Sequence, residues 1–595
     1  RWPIDFGING IFSICFMETG LFLMMTWHGY AQMGLYILII CVLMKPVGWY
    51  MAQVYTGQYN FFTKWMKPLE NRFYKICRID KKSMTWQQYT YALLLFNGLS
   101  IGLAYVLQRV QFYLPLNPQA LPAPNHGVAL QTAISFVTNT NWQVYSGEQT
   151  MSYLSQMLAL TTQNFLSAAT GLSVLMVFIR SLSANKNQGL GNYWVDMVRG
   201  VIYILLPFSF VLALALSAQG VIQNLKPSQS MVPLQSLTQH TNSQLIPMGP
   251  VASQIAIKQL GSNGGGFFNA NGAHPFENPT PLTNILELLA ILVIPVALTY
   301  TFGFMLKDLR QGRILGLAML ILWLPNIYFC LNAEQLGNPK IQALGIQGPN
   351  MEGKESRFGI TNSVLWTMAT TATANGATNS NLDSYTPLGG GIALWLMHCG
   401  EVIFGGVGSG LYGMLLMVII AVFIGGLMVG RSPEYLGKKI EAFEIKMASM
   451  VILILPLLIL FCTALAVVLP IGRKACTNPA MHGLTEILYG FTSMATNNGS
   501  AFAGLHAEQP FYLFLGGLVM LIGRYVPIVC VLALSGSLMA KQKMPSSIGT
   551  IQTHNMSFLI LLIAIVLLIG ALSFLPVLAL GPIVEHLMFW NMYAS

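Results

Sequence analysis

Ten apolar runs, each long enough to cross a hydrocarbon layer, limit what this chain can become more than any other feature. Spanning takes about 20 predominantly apolar residues. The runs lie at approximately 31–52, 88–108, 152–180, 197–220, 282–306, 313–332, 393–430, 447–470, 511–538 and 556–580. A backbone that crosses lipid must satisfy its own hydrogen bonds, which at these lengths means helices. Only 8% of the 595 residues are charged, against roughly 25% in soluble domains, so most of the surface cannot face water. The chain reads as an all-α membrane protein with ten transmembrane helices. Its formal net charge of +10 points to basic loops rather than to nucleic acid.

Those basic residues alternate along the chain. Lys64, Lys67, Arg72, Lys75, Arg78, Lys81 and Lys82 follow the first run. Arg180, Lys186 and Arg199 follow the third, and Lys307, Arg310 and Arg313 the fifth. Arg431, Lys438, Lys439 and Lys446 follow the seventh, and Lys541 and Lys543 the ninth. The opposite links are longer but hold fewer: Arg109, Lys226, Lys258, Lys340, Lys354, Arg357, Arg473 and Lys474. The positive-inside rule then turns the basic links to the cytoplasm and leaves both termini outside. Residues 1–27 carry no assignment. Asp5 to Trp27 is fairly apolar but contains Glu18 and lacks a basic start and cleavage site, so a cleaved signal peptide is not expected and an extra membrane segment is the alternative.

The long links after the first helix share a plan: a half-length apolar segment, then a polar turn, then a return to the next run. The turns are Thr138–Gln143, Ser262–Gly265, Ala374–Ala377 and Thr496–Ser500. The second opens the most distinctive stretch of the chain, Gly261 to Asn271, with Phe267 to Pro279 bracing the way to the next run. Aligning Asn141, Gly264, Gly376 and Gly499 gives spacings of 123, 112 and 123 residues, the mark of an internal repeat. Each repeat is expected to be helix, re-entrant loop, helix. Irregular backbone at membrane depth is tolerated only where protein buries it or a wet cavity takes it. Four such turns on one axis offer backbone carbonyls plus Asn and Thr side-chain oxygens, with glycine letting the backbone approach. No Asp or Glu lies in the turns, which fits a monovalent cation better than calcium.

Other features carry less. The eight cysteines are scattered without a CxxC pair and read as packing residues. The nine histidines form no HxxxH pair or His/Cys cluster, so no structural metal site is expected. Gly408 to Gly413 satisfies GxGxxG but lies in an apolar helical run instead of a βαβ unit. Gly348 to Lys354 spells GxxxxGK but continues with Glu355, so a phosphate-binding loop is not expected. Gly405, Gly406, Gly408, Gly410 and Gly413 weaken the seventh run, and a break there near Gly406 and Gly408 would gate an ion's path. Arg524 stands inside the ninth run, where a central charge costs about 2.5–3.5 kcal/mol, and is assigned an electrostatic barrier below the turns.

The strings GSNGGGFFNANGAHPFENP (261–279), SFVTNTNWQVYSGE (135–148), NMEGKESRFG (350–359), GEVIFGGVGSGLYGM (400–414), GRSPEYLGKKIE (430–441) and NNGSAFAGL (497–505) resemble the potassium-binding A subunit of the Kdp potassium-transporting ATPase. The resemblance runs from about His28 to the C-terminus. It implies the fold of the superfamily of potassium transporters: four pseudo-repeats of helix, pore loop and helix, with one flanking helix at each end. On that reading residues 28–60 are the first flanking helix, 61–190, 191–312, 313–440 and 441–545 the repeats, and 546–595 the last helix and C-terminus. The resemblance also implies residence in a bacterial inner membrane, a P-type ATPase partner that consumes ATP, and small accessory membrane subunits. This chain lacks a DKTG phosphorylation sequence, so no ATP hydrolysis of its own and no covalent cofactor are expected. Matching filter positions are Asn139, Thr140 and Asn141; Ser262, Asn263 and Gly264; Asn375 and Gly376; and Asn497, Asn498 and Gly499, with Gln143 beside the first. The basic loop Arg431 to Lys439 becomes a candidate docking surface for the ATPase. From pattern alone, a stand-alone potassium channel or ion-coupled symporter stays open. A membrane-embedded enzyme is disfavoured, since the runs hold no paired carboxylates, activated nucleophile or metal cluster.

Overall fold

Each apolar run folds as a helix because lipid offers its backbone no other hydrogen-bond partner. The computed structural model describes residues 27–58, 61–185, 189–232, 243–430, 432–545 and 551–591. The N-terminal extension, Lys186 and Arg431 lie outside the described residues. In chain order the helices are α1 (Trp27–Thr56), α2 (Phe61–Ile76), α3 (Trp86–Arg109), α4 (His126–Val137), α5 (Ser155–Ser183), α6 (Tyr193–Ala218), α7 (Val251–Leu260), α8 (Pro281–Leu306) and α9 (Leu309–Gln335). They continue as α10 (Gly359–Ala372), α11 (Pro387–His398), α12 (Ser409–Met428), α13 (Ala442–Val468), α14 (Ala480–Ala495), α15 (Pro510–Ala540), α16 (Met556–Leu578) and α17 (Val584–Asn591). Ten stretches of the described residues are long and apolar enough to span a membrane. Capping residues fix several starts: Thr85 and Gln88 form a reciprocal box before α3, and Thr280 with Thr283 does the same for α8.

The repeat is plain in the helix lengths. The half-length helices α7, α4, α10 and α14 have 10, 12, 14 and 16 residues. At 1.5 Å per residue they reach about 15–24 Å, too short for a hydrocarbon core of about 30 Å. Each sits between two spanning helices, giving α3–α4–α5, α6–α7–α8, α9–α10–α11/α12 and α13–α14–α15, with α1 and α16 outside. The apolar run 393–430 is not one continuous helix, and the break expected near Gly406 and Gly408 is there. The backbone leaves α11 at His398 and resumes helical geometry at Ser409.

In the first, second and fourth repeats the second spanning helix lies inside and the first outside, whereas in the third repeat α9, 56% buried, lies nearly as deep as α12. The most apolar windows of α5, α8, α12 and α15 are 83, 72, 67 and 67% buried, whereas those of α3, α6 and α13 are 33, 33 and 22%. The inner helices carry the residues lipid would reject, including Asn164 and Ser167 on α5, Glu287 on α8 and Arg524 on α15, all buried. Small residues let them close on the half-length helices. A Cβ on Gly523 would lie 2.2 Å from the carbonyl oxygen of Ala495, the last residue of α14.

Buried ion pairs pin the basic face. Arg180 grips Asp196 with both guanidinium nitrogens, at 2.7 and 2.6 Å, and the Tyr89 hydroxyl donates to the same carboxylate at 3.1 Å. Glu70 of α2 accepts from Arg199 at 3.2 Å and from the Tyr203 hydroxyl at 2.8 Å, which fastens this amphipathic helix to α6. The basic loop after α12 folds into a two-stranded hairpin, Glu434–Tyr435 against Lys438–Lys439. Its Lys438 is fully buried and donates to the carbonyls of Leu538 and Lys541 at 3.1 and 2.6 Å. That lysine closes the C-terminus of α15 and is not available to a docking partner. Lys354, which ends the GxxxxGK string, is likewise spent: it pairs with Glu334 at 2.7 Å, both side chains fully buried, and lies 4.1 Å from the Tyr385 ring centroid.

Candidate ion filter

Each half-length helix ends where a polar turn begins, so four helix C-termini aim their negative dipole ends at the turns. The turns then share one backbone signature. Asn139, Ser262, Ala374 and Asn497 have φ of 67, 47, 51 and 56°. Two residues later Asn141, Gly264, Gly376 and Gly499 have φ of 52, 76, 83 and 96°. Left-handed residues at both positions reproduce the spacings read from the sequence. They also bring in Ala374, which opens the third turn but is not among the matched filter positions, alanine carrying no turn signal.

The turns close into a ring. A Cβ on Gly264 would stand 1.9 Å from the carbonyl oxygen of Asn375, one on Gly376 2.1 Å from that of Asn498, and one on Gly499 1.9 Å from that of Thr140. Turns two, three and four therefore each abut the next, the last returning to the first. The remaining joint is a hydrogen bond, since the Asn141 amide donates to the Gly264 carbonyl at 3.0 Å. The side chain of Gln143 adds two bonds across the same joint, to the Gly266 carbonyl at 3.2 Å and from its N–H at 2.8 Å.

Asn and Thr side-chain oxygens are expected to face the ion alongside the carbonyls; several of these side chains bond across the ring, while Asn141 Oδ1 and Asn263 Oδ1 are buried without a hydrogen-bond partner. The Asn263 amide donates to Asn139 Oδ1 at 2.6 Å, Asn375 to the Lys258 carbonyl at 3.2 Å, and Asn498 to the Thr370 carbonyl at 2.9 Å. Asn497 donates to Thr140 Oγ1 at 2.9 Å. Oδ1 of Asn375 and of Asn498 each accept a backbone N–H two residues on, at 2.9 and 3.1 Å. These amides thus tie each quarter to its neighbour. Among the described residues, no donor reaches the carbonyl oxygens of Thr140, Asn141, Asn263, Asn375, Gly376, Asn498 or Gly499. A buried carbonyl without a partner is costly, and a ring of them is what a dehydrated cation can satisfy.

The ring forms the floor of a cavity of about 730 Å³ to which each quarter contributes, through Asn141, Gly265, Gly376 and Gly499. Behind the second turn, Lys258 donates to the Gly265 carbonyl at 3.0 Å and to Glu277 at 3.1 Å, both side chains essentially unexposed. Glu277 accepts the Phe267 N–H at 2.6 Å. Removing one partner of such a buried pair costs about 3–5 kcal/mol, because the other charge is left uncompensated behind the turn. Beside it, His274 stacks on Phe268 at 3.9 Å. Its burial, with Arg357 nearby, lowers its pKa to about 4. Near neutral pH His274 therefore carries no charge beside the second turn.

On the other side of the ring lies the break between α11 and α12, where Gly400, Glu401, Phe404, Gly405 and Gly408 are all left-handed. Gly405 donates to the carbonyl of Ala372, the last residue of α10, at 3.0 Å. A Cβ on Gly408 would lie 2.2 Å from the Gly171 carbonyl oxygen of α5. Arg524 donates to the Ser167 carbonyl at 3.2 Å, and the Ser167 hydroxyl in turn donates to Asn139 Oδ1 at 2.7 Å. Arg524 and Gly408 thus both contact α5 behind the first turn. Glu401, in the break, is within electrostatic reach of Arg524, a neighbour sequence reading did not single out.

Residues 34–587 match the family of the potassium-transporting ATPase A subunit. The chain belongs to that family. It is 54% identical over 570 residues to the potassium-transporting ATPase potassium-binding subunit of Herpetosiphon aurantiacus, covering 94% of this chain and 98% of that one. It is 52% identical over 576 residues to the subunit of the same name from Sorangium cellulosum, covering 95% and 99%. Among solved structures, the potassium transporter TrkH from Vibrio parahaemolyticus aligns with a TM-score of 0.47 at 12% identity, over 71% of this chain and 83% of that one. Gly406 and Gly408, in the break of this chain, separate cleanly. The Gly406 Cβ would meet only the movable Ser409 hydroxyl, at 2.5 Å. Gly406→Ala is expected to purify and transport much like the parent, whereas Gly408→Ala loses monodisperse protein and uptake, read by size-exclusion profile and ion flux.

Proposed function

We propose that this chain is the potassium-binding and translocating subunit of an ATP-driven potassium uptake pump. The observation that carries the reading is the ring of unpartnered carbonyls contributed by four turns without a carboxylate among them. Asn139, Thr140, Asn141, Ser262, Asn263, Gly264, Asn375, Gly376, Asn497, Asn498 and Gly499, with Ala374 added, build the filter, and Gln143 braces it. Neutral dipoles at fixed spacing replace the water of a monovalent cation, and the funnel supplies that ion. Uptake against a gradient needs energy that this chain does not harvest, so a P-type ATPase partner hydrolyses ATP, joined by small accessory membrane subunits. The names of the relatives support such a partner.

The experiment is purification from a bacterial inner membrane in mild detergent. Co-elution of an ATPase whose hydrolysis rises with potassium is expected; a chain that purifies without one and conducts potassium alone is a channel or symporter instead. The alternating Lys and Arg residues support an orientation with the filter funnel and both termini outside. A C-terminal reporter that fluoresces only in the cytoplasm should then stay dark.

Two substitutions test the site. Gly264→Ser adds a side chain where a Cβ already has 1.9 Å to the Asn375 oxygen, at a φ of +76°. Potassium over rubidium and sodium selectivity should fall roughly tenfold, equivalent to about 1.4 kcal/mol, in competition uptake assays. Unchanged selectivity would remove the filter from this turn. Arg524 below the ring sets a positive barrier against downhill leak, with Gly408 shaping the gate and Gly406, which has room for a methyl group once the Ser409 hydroxyl turns aside, not essential to it. Arg524→Met is expected to raise passive potassium flux in proteoliposomes without ATP; wild-type tightness and coupling in that variant count against the barrier.

A further inference from the structure

Sequence reading finds no metal-ligand cluster, yet the fold gathers one histidine and three carboxylates away from the filter. His482, near the start of α14, has its Nε2 2.9 Å from Asp383 Oδ1 and its Nδ1 2.8 Å from Glu585 Oε1. Glu486, one helical turn further along α14, presents a carboxylate to the same point. One ligand atom each from Asp383, His482 and Glu486 lie within 4.8 Å of one another. Three segments far apart in sequence therefore converge: the loop after the third filter turn, the half-length helix of the fourth repeat, and terminal helix α17.

Two observations separate this cluster from an ordinary hydrogen-bonded histidine. First, the charges do not balance. Three carboxylates surround one imidazole, and among the described residues no lysine or arginine forms an ion pair with Asp383, Glu486 or Glu585. A protonated imidazole offsets only one of the three. Second, Glu486 is fully buried, and its Oε2 makes no hydrogen bond, while its Oε1 is held by the Asn478 amide at 2.6 Å. That same amide reaches Asp383 Oδ2 at 3.4 Å, so both carboxylates are oriented by one donor. Glu585 Oε2 is likewise without a partner.

We propose that Asp383, His482 and Glu486, with Glu585 beside them, form a binding site for a divalent transition-metal cation of zinc-like chemistry. One imidazole nitrogen with carboxylate oxygens is a ligand set such ions accept, at about 2.0–2.2 Å from the metal. Ligands now up to 4.8 Å apart then draw together to roughly 3.4 Å around a tetrahedral ion. The metal takes the place of a proton on His482, and that proton leaves to solvent. A bound ion staples the third and fourth repeats to the terminal helix. His482 stacks on Phe502 at 5.9 Å, Phe502 on Tyr489 at 4.4 Å, and the Tyr489 hydroxyl meets Ser500 Oγ at 2.8 Å, two residues from Asn498. These contacts lead from His482 to Ser500, the last residue of the fourth filter turn.

The test uses the purified full pump, stripped with chelator and dialysed against micromolar zinc chloride. Wild type should retain about one more zinc per complex than Asp383→Asn or Glu486→Gln, by elemental mass spectrometry, which cancels any zinc bound elsewhere. Zinc should also raise the thermal midpoint of the wild type, reversibly on chelation, and leave both variants unmoved. Should either variant fail to elute as a monodisperse complex, the other variant and the wild-type shift decide. Equal zinc in wild type and variant, or no wild-type shift, overturns the site and leaves His482 as an imidazolium clamp between Asp383 and Glu585. A shift with calcium that zinc does not produce overturns the chemistry assigned to it.

Discussion

A carbonyl oxygen buried in protein and denied a donor is expensive, and this fold keeps at least seven of them so, on turns that meet at one point. The spanning helices satisfy their own backbones, whereas the turns cannot, and their geometry must come from whatever surrounds them. That requirement accounts for the placement of polarity in the rest of the chain. Buried amides, the Lys258 and Glu277 pair and the Ser167 hydroxyl all lie behind the turns and hold them open toward the axis. Four helix C-termini add their dipoles from the same direction, so electrostatics favours a cation before any side chain is considered.

The bracing runs around the ring as well as behind it. Amides of Asn263, Asn375 and Asn498 reach back to the preceding quarter, and Asn497 joins the last quarter to the first. No turn is therefore independent of the others. Networks of this kind strengthen one another when every member is satisfied and fail together when one is lost. The absent side chains at Gly264, Gly376 and Gly499 belong to the same design, because each gives its place to a neighbour's carbonyl.

Much of this architecture was readable from residue order. Run lengths gave the spanning helices, and the period of the Asn and Gly turns gave the repeat. Glycines 405 to 413 gave the break, because a glycine-rich stretch in an apolar run has few other uses. What stayed hidden depends on distance along the chain. Glu277 lies 19 residues from Lys258, and nothing local marks the two as partners. Asp383, His482 and Glu585 are about a hundred residues apart from one to the next, so their meeting needs the fold. Ala374 was silent because its role lies in its backbone angles. The direction in which an Asn amide points is equally absent from sequence, so the ties that Asn375, Asn497 and Asn498 make to neighbouring quarters need the fold.

The first quarter closes with Asn141 where the other three have glycine. In a pore made from four identical chains, any such change is imposed on all four sides at once, and only alterations tolerable in quadruplicate survive. Fusing the quarters into one polypeptide frees each to vary alone. One joint can close on an Asn side chain while three close on a glycine, and one inner helix can be severed while three run through. The circle an ion meets is four-sided in its backbone but has a distinguishable front, back and flank, so a neighbouring subunit has a direction from which to approach it.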